Sequence, residues 1–124
     1  MAASAHAREG LPKRYRLLRP AKFQSVLRHG RQTRDRLFTV YASENALAHV
    51  RVGLVVSRKA SPKAVVRNRL KRHVRESARK HQQTLHGLDV VVVAKSAAAS
   101  AEPAALRTSL ERHWISIIER CKDS

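Results

Sequence analysis

Asn68, Arg72, Arg75 and Arg79 are spaced 4, 3 and 4 residues apart, which on a helix sets them along one face. Arg67 and Lys71 widen that face on one flank, and Val66, Leu70, Val74 and Ala78 form an apolar stripe opposite. The chemistry on offer is anion binding. A guanidinium is a planar fork that matches two phosphate oxygens, so several forks on one face can hold successive links of a nucleic-acid backbone. Like charges at these spacings weaken an isolated helix by ~0.2–0.5 kcal/mol per pair, and a polyanionic partner is the expected compensation. A merely solvated face would intersperse acids, whereas Glu76 is the sole acid between Arg58 and Lys80. Asn68 adds a donor and an acceptor able to read a base edge or bridge neighbours. Charge alone does not separate RNA from DNA.

No second chemistry is visible. A nuclease of protein needs clustered carboxylates for metal ions or a histidine pair for proton transfer, but the nine acids are dispersed along the chain. There is no glycine-rich phosphate loop and no nucleophile motif. The seven histidines are scattered, and with Cys121 as the single cysteine there is no zinc-ligand spacing. His73, beside the apolar stripe, reads as a packing residue. The chain reads as a binder without catalytic groups of its own. Its aromatics Tyr15, Phe23, Phe38, Tyr41 and Trp114 read first as core, Trp114 most of all. Tyr41, however, falls on the opposite strand face from Phe38. If that face is open, Tyr41 and Phe23 could stack on single-stranded bases.

Charge distribution supports a binding footprint. The chain has 124 residues, 43% of them hydrophobic, and a net charge of +17, which fits one domain with a modest core. Residues 1–36 carry ten Lys/Arg against two acids (+8), and residues 58–80 carry ten against one (+9). The intervening and following stretches balance to zero. Such segregation marks a phosphate-binding surface and exceeds what solubility needs. One cysteine excludes an internal disulfide and accords with a reducing compartment. The longest apolar run, Val90 to Ala94, is far too short to span a bilayer, and Met1 to Pro12 lacks a signal-peptide core. A soluble, cytoplasmic protein is expected.

The elements that must present the basic helix follow from local pattern. Residues 1–16 read as a mobile basic arm, 17–121 as a single domain and 122–124 as a tail. Pro20 and Gly30 bracket a short helix, with Phe23, Val26 and Leu27 on its inner face and Lys22 and Arg28 towards solvent. Arg36 to Ser43 alternates as a strand. Glu44 to His49 reads as a hairpin loop, and Val50 to Ser57 as a second strand. A further strand near Arg31 to Arg34 has only a weak signal. Ser61 and Pro62 read as the cap and first residue of the basic helix, which is predicted to run to about Gln82. Leu88 to Ala94 is a buried strand, and Ser96 to Ala101 a small-residue linker. Pro103 opens a last helix with an apolar stripe through Leu106, Leu110, Trp114, Ile117, Ile118 and Cys121. The expected fold is α+β, an αβββαβα two-layer sandwich: one small mixed sheet with helices packed on it, the strands flanking the basic helix being parallel neighbours.

From Ala64 to Glu76 the chain resembles the "RNR" segment, A-V-x-R-N-R-x-K-R-x-x-R-E, of the protein subunit of bacterial ribonuclease P. Leu17-Leu18 with Phe23-Gln24 is similar to that family's first helix, and Gly30-Arg31 to its exit. Arg36-Leu37-Phe38 with Tyr41 is similar to the next strand, and Arg51-Val52-Gly53-Leu54 with Val56-Ser57-Arg58-Lys59 to the one after. Leu88 to Ala94 is similar to the strand before the last helix. The resemblance covers about residues 11–120. It implies a ribonucleoprotein endonuclease that removes the 5′ leader from precursor tRNA, with catalysis and Mg²⁺ belonging to the RNA subunit and no cofactor held by protein side chains. It implies contacts to the catalytic RNA through Arg67, Asn68, Arg69, Lys71, Arg72 and Arg75, and to the single-stranded leader through Phe23, Tyr41, Ser57, Arg58 and Lys59. It also implies a left-handed βαβ crossover, where general rules give a right-handed one. The implied partners are that RNA and precursor tRNA, with no membrane and no obligate protein partner. Leu27 stands where many members have an aromatic, Arg58 where lysine is frequent, and Ser61-Pro62-Lys63 in place of a glycine-containing approach. A ribosome-associated structural protein shares the basic helix and small sheet. A nucleoid DNA-binding protein fits less well, because no helix-turn-helix spacing is present.

Overall fold

The structure is a computed structural model that describes residues 12–17 and 19–122, the last by its backbone alone. Proline at the first helical position and glycine just past the end bound helix α1, Pro20–His29. Strands β1 (Arg31–Arg34), β2 (Phe38–Glu44) and β3 (Arg51–Val55) follow. The basic helix α2 spans Ala64–Lys80, strand β4 Leu88–Ala94, a one-turn helix α3 Ser96–Ala99, and the last helix α4 Pro103–Lys122. The strands form one sheet in the order β1-β2-β4-β3. β4 is antiparallel to β2 and parallel to β3, so α2 is the crossover between parallel neighbours, as predicted.

Several local expectations are corrected. Glu44 to His49 is not a hairpin loop, because β4 lies between β2 and β3. Asp89, buried at the start of β4, ties this arrangement together. It receives the Arg51 fork from β3, with Nε and Nη2 each 2.8 Å from a carboxylate oxygen, and Asn45 Nδ2 at 3.0 Å from the loop. Helix α2 starts two residues later than Pro62, capped by the Lys63 backbone, because Ser61 Oγ accepts the Lys63 N–H (3.2 Å) in a turn upstream of it. It also ends at Lys80, short of Gln82. Within the supposed linker, Ser96–Ala99 is helical. Strand β1 exists although its sequence RQTR has little strand character, because all four residues pair with β2, from Arg31 opposite Ala42 to Arg34 opposite Thr39.

Residues 1–11, Leu18 and residues 123–124 lie outside the described residues, and with them most of the expected arm and tail. The arm's end, residues 12–16, forms a 3-10 turn at Lys13–Tyr15 and a parallel bridge from Arg16 to Val52. Leu17 N–H donates to Val52 O at 2.9 Å, so this segment covers the outer edge of β3, which would otherwise present unpaired backbone.

The sheet separates two apolar clusters. On one side Phe38, Val40, Val90 and Val92 pack against Leu70 and Val74 of α2 and Leu110 and Trp114 of α4. On the other, Val91 packs with Leu17 and Val26, flanked by Phe23, Leu27 and Tyr41. The valine run of β4 is thus buried on both faces, which is why it does not alternate. Helix α2 is held by its predicted stripe: Leu70, Val74 and Ala78 are fully buried, and a buried Leu or Val contributes ~1.5–3 kcal/mol. Trp114 Nε1 donates to Ser77 Oγ at 2.9 Å, locking α2 to α4.

A polar cluster ties the sheet's other edge to α4. Asp35, in the β1–β2 turn, accepts from Leu37 N and Phe38 N at 2.9 Å and from Ser109 Oγ at 2.6 Å. His113 is buried, with Nδ1 2.7 Å from Thr33 Oγ1 and Nε2 3.3 Å from Asp35 Oδ2. Burial opposes ionisation of Asp35, but the Ser109 hydroxyl, the two backbone N–H groups and the nearby His113 together lower its pKa from 3.8 to about 2. A carboxyl depressed on folding contributes stability above its unfolded pKa and loses it as pH falls through the folded value. Asp35→Asn should therefore lower stability at neutral pH by ~1 kcal/mol after allowance for partial exposure. Urea unfolding across a pH series checks this: the gap between wild type and variant should close between the two Asp35 values.

Candidate nucleic-acid interface

Helix α2 carries its cations in three environments. Asn68, Arg69 and Arg72 are exposed, whereas Arg67, Lys71 and Arg75 are half-buried. Arg67 Nη1 donates to Ser61 O at 3.0 Å, which ties the first turn of α2 to its approach loop. Arg69 Nη2 donates to Ala99 O at 3.0 Å, anchoring α3. These two predicted RNA-binding residues therefore also serve the fold, each with part of its guanidinium. Arg79, on the predicted polar stripe, is paired with Glu76; that hydrogen bond is the main reason the Glu76 carboxyl lies below its ordinary range. His73 is held below its usual range by burial and then by Arg69, Arg107 and Arg72, which agrees with a packing role. Val65, 75% exposed, places an apolar side chain among these cations.

A cavity of about 160 Å³ opens between α1, β3 and α2. Arg16, Lys71 and Arg75 bring cations to it, and Leu17, Phe23 and Gly53 contribute to its apolar lining. It therefore brings together Phe23, predicted for one surface, with Lys71 and Arg75, predicted for another. Burial, and after it the positive charge of Arg16, hold Arg75 below the usual arginine value. Phe23 sits over Gly53: a Cβ built there would lie 2.5 Å from Phe23 Cε2 and 2.9 Å from Cδ2. A glycine is required here by the close approach of the ring and not by a special backbone angle.

Tyr41 is half-buried in the same cluster as Phe23 but is not among the residues lining this cavity. Ser57, Arg58 and Lys59 are exposed in the turn after β3. Ser57 Oγ accepts the Lys59 N–H (3.2 Å) and Ser57 O the Ala60 N–H (3.0 Å), so the serine shapes the turn that presents both cations. Arg16 is the residue that the sequence reading missed. It is remote in sequence from α2, and only the bridge to Val52 brings it beside Arg75. Among the described residues no group of three or more His, Cys, Asp and Glu is placed to hold a metal ion, and no helix is long and apolar enough to cross a membrane.

The fold and cleft define a small α+β domain that displays cations beside an aromatic floor. Comparison with known proteins makes the assignment specific. The ribonuclease P family model matches residues 11–117. The ribonuclease P protein component of Methylococcus capsulatus is 44% identical over 115 residues, 93% of this chain and 90% of the relative; that of Nitrosococcus oceani is 38% identical, covering 93% and 97%. The RNase P protein of Staphylococcus aureus superposes with a TM-score of 0.75 at 34% identity, covering 83% of this chain and 94% of that one. That of Thermotoga maritima gives 0.74 at 29% identity, covering 82% and 96%. The chain belongs to the ribonuclease P protein component family.

The Phe23–Gly53 contact yields a packing test. Gly53→Ala should destabilise the protein by roughly 1–3 kcal/mol, the usual range for overpacking a filled site. Adding Phe23→Leu should recover part of that loss, read by denaturant unfolding of the single and double variants.

Proposed function

We propose that this chain is the RNA-binding protein cofactor of ribonuclease P, acting in the cytoplasm. In this reading it binds the catalytic RNA through α2, using Arg67, Asn68, Arg69, Lys71, Arg72 and Arg75. It binds the single-stranded 5′ leader of precursor tRNA in the neighbouring cleft, using Phe23, Tyr41, Ser57, Arg58 and Lys59. It thereby promotes endonucleolytic removal of the leader to give the mature tRNA 5′ end. Phosphodiester hydrolysis and Mg²⁺ belong to the RNA, and the protein supplies charge and position. The body, residues 17–121, is the RNA-binding unit, and the basic arm, 1–16, adds cations to it.

One observation carries this reading: a helix α2 whose cations are exposed or half-buried stands beside a cleft lined by a half-buried phenylalanine, in a chain of this family. Cations set register on a phosphate backbone without reading sequence. An aromatic floor takes unpaired bases, since every base has a π-face. A duplex offers continuous phosphates but no splayed bases, so the combination favours structured RNA together with a single-stranded tail.

Reconstitution tests it. The purified protein alone should cleave nothing; added to its RNA subunit at low magnesium, it should restore correct 5′ processing of precursor tRNA. Unchanged processing on addition of folded protein would reject the assignment. Arg72→Ala should weaken affinity for the catalytic RNA by roughly 1–3 kcal/mol, the scale of a charge-assisted contact. Phe23→Ala or Tyr41→Ala should weaken binding of precursor tRNA to the holoenzyme while leaving mature tRNA binding nearly intact.

A further inference from the structure

The seam between α2 and α4 places a cation of the last helix against the basic one. On α4, Arg107, Leu110 and Trp114 are spaced 3 and 4 and share one flank. Ser109 and His113 lie on the other flank, towards Asp35. On α2, Arg69, His73 and Ser77 recur every 4 residues. The hydrogen bond from Trp114 to Ser77 joins these two rows, and the one from Arg69 to Ala99 O, just ahead of α4, joins their beginnings. The two helices therefore run the same way along the seam. Arg107, seven residues before Trp114, comes level with Arg69, eight residues before Ser77, with His73 beside them. The charges agree with this placement, because Arg69, Arg107 and Arg72 all act on the half-buried ring of His73.

We infer that the surface for the catalytic RNA does not end at α2 but crosses the seam onto α4, where Arg107 joins Arg69 and Arg72 in holding RNA phosphates over His73. This inference rests on the function proposed above and adds to it a residue outside both basic segments of the sequence. Arg69, Arg72 and Arg107 are all exposed. Among the described residues neither Arg72 nor Arg107 is in an ion pair: Glu76 is taken by Arg79, and Glu111, one turn beyond Arg107, is in none. Arg69 gives Nη2 to Ala99 O, which leaves other donors of its guanidinium for a ligand. Forks from two helices locked together by a buried hydrogen bond are positioned before a ligand arrives, and they suit several oxygens of one phosphate backbone. Arg112 of the same helix is equally exposed, but it lies on the far flank, in a hollow it shares with Asp35 and Ser109.

The test is binding of the full-length protein to its RNA subunit, without substrate, across a series of monovalent salt concentrations. Arg107→Ala should weaken binding roughly tenfold, the low end for a hydrogen bond to a charged group. It should also flatten the log–log salt dependence by roughly 0.7–0.9, one phosphate's share of released counterions. Arg107→Lys keeps the charge and should restore the slope. Arg112→Ala removes the same charge from the far flank of the same helix and should change neither affinity nor slope. Urea unfolding of Arg107→Ala should give the wild-type midpoint; if it does not, Arg107→Gln, which keeps the stem of the side chain, decides in its place. The inference is overturned if the Arg107 variant binds with wild-type affinity and slope, or if Arg112→Ala loses as much, the mark of diffuse charge and not of a site. It is also overturned if the Arg107 variant binds the RNA subunit normally and instead weakens precursor tRNA binding by the assembled holoenzyme. Failure of the broader function looks different, because wild-type protein would then neither bind the RNA subunit nor stimulate processing.

Discussion

The buried carboxylate of Asp89 joins three parts of this architecture. Its two oxygens take the fork of Arg51, at the matching register of the parallel strand, and the side-chain amide of Asn45 from the incoming loop. The fork holds β4 beside β3, backbone pairing holds its other edge to β2, and because β3 and β4 are parallel the chain leaving β3 must cross over the sheet before returning. Helix α2 is that crossover. The same register places Gly53 opposite Val91, next to the cluster that holds Phe23. A charged pair of this kind is costly to break one-sidedly, because the remaining charge is left without a partner.

A chain of net charge +17 has to hold its cations apart until they are used. It does so by anchoring α2 through apolar contacts and a buried hydrogen bond, Trp114 to Ser77, and among the described residues Glu76 is the acid paired on its polar side. The cations then differ by environment. Arg67 and Arg69 brace neighbouring backbone, Arg79 is paired, Asn68 and Arg72 are open to solvent, and Lys71 and Arg75 line the cleft. A motif of uniform appearance in sequence thus contains bracing, display and cavity-lining residues side by side.

The legible parts of this fold are those where one element decides its own structure. The stripe through Leu70, Val74 and Ala78 recurs at helical spacing, and the run Val90 to Val93 is long, apolar and branched. Both are read from local pattern. What escaped was decided by distant partners. RQTR is a strand only because β2 pairs with it. The hairpin reading of Glu44 to His49 failed because β4, more than forty residues on, takes the place beside β2. Ser96 to Ala99 turns helical where the composition reads as linker, and Arg69 secures its end. The polar cluster of Thr33, Asp35, Ser109 and His113 joins residues up to 80 apart, and no spacing rule announces it. Within the site, the identities on α2 were visible from its period, but the presence of Arg16 beside Arg75 was not.

The excess of positive charge, +17 over the chain, gives ionic strength two opposite effects on this protein. Small ions screen the repulsion over roughly 8–10 Å at ordinary salt, so added salt should favour the folded chain while it is alone. The same ions compete with any polyanion, since binding to one releases counterions whose bulk concentration has now risen. Salt and any polyanion are in this sense rival occupants of one set of charges. Conditions that best preserve the isolated protein are therefore those in which its grip on a polyanion is weakest.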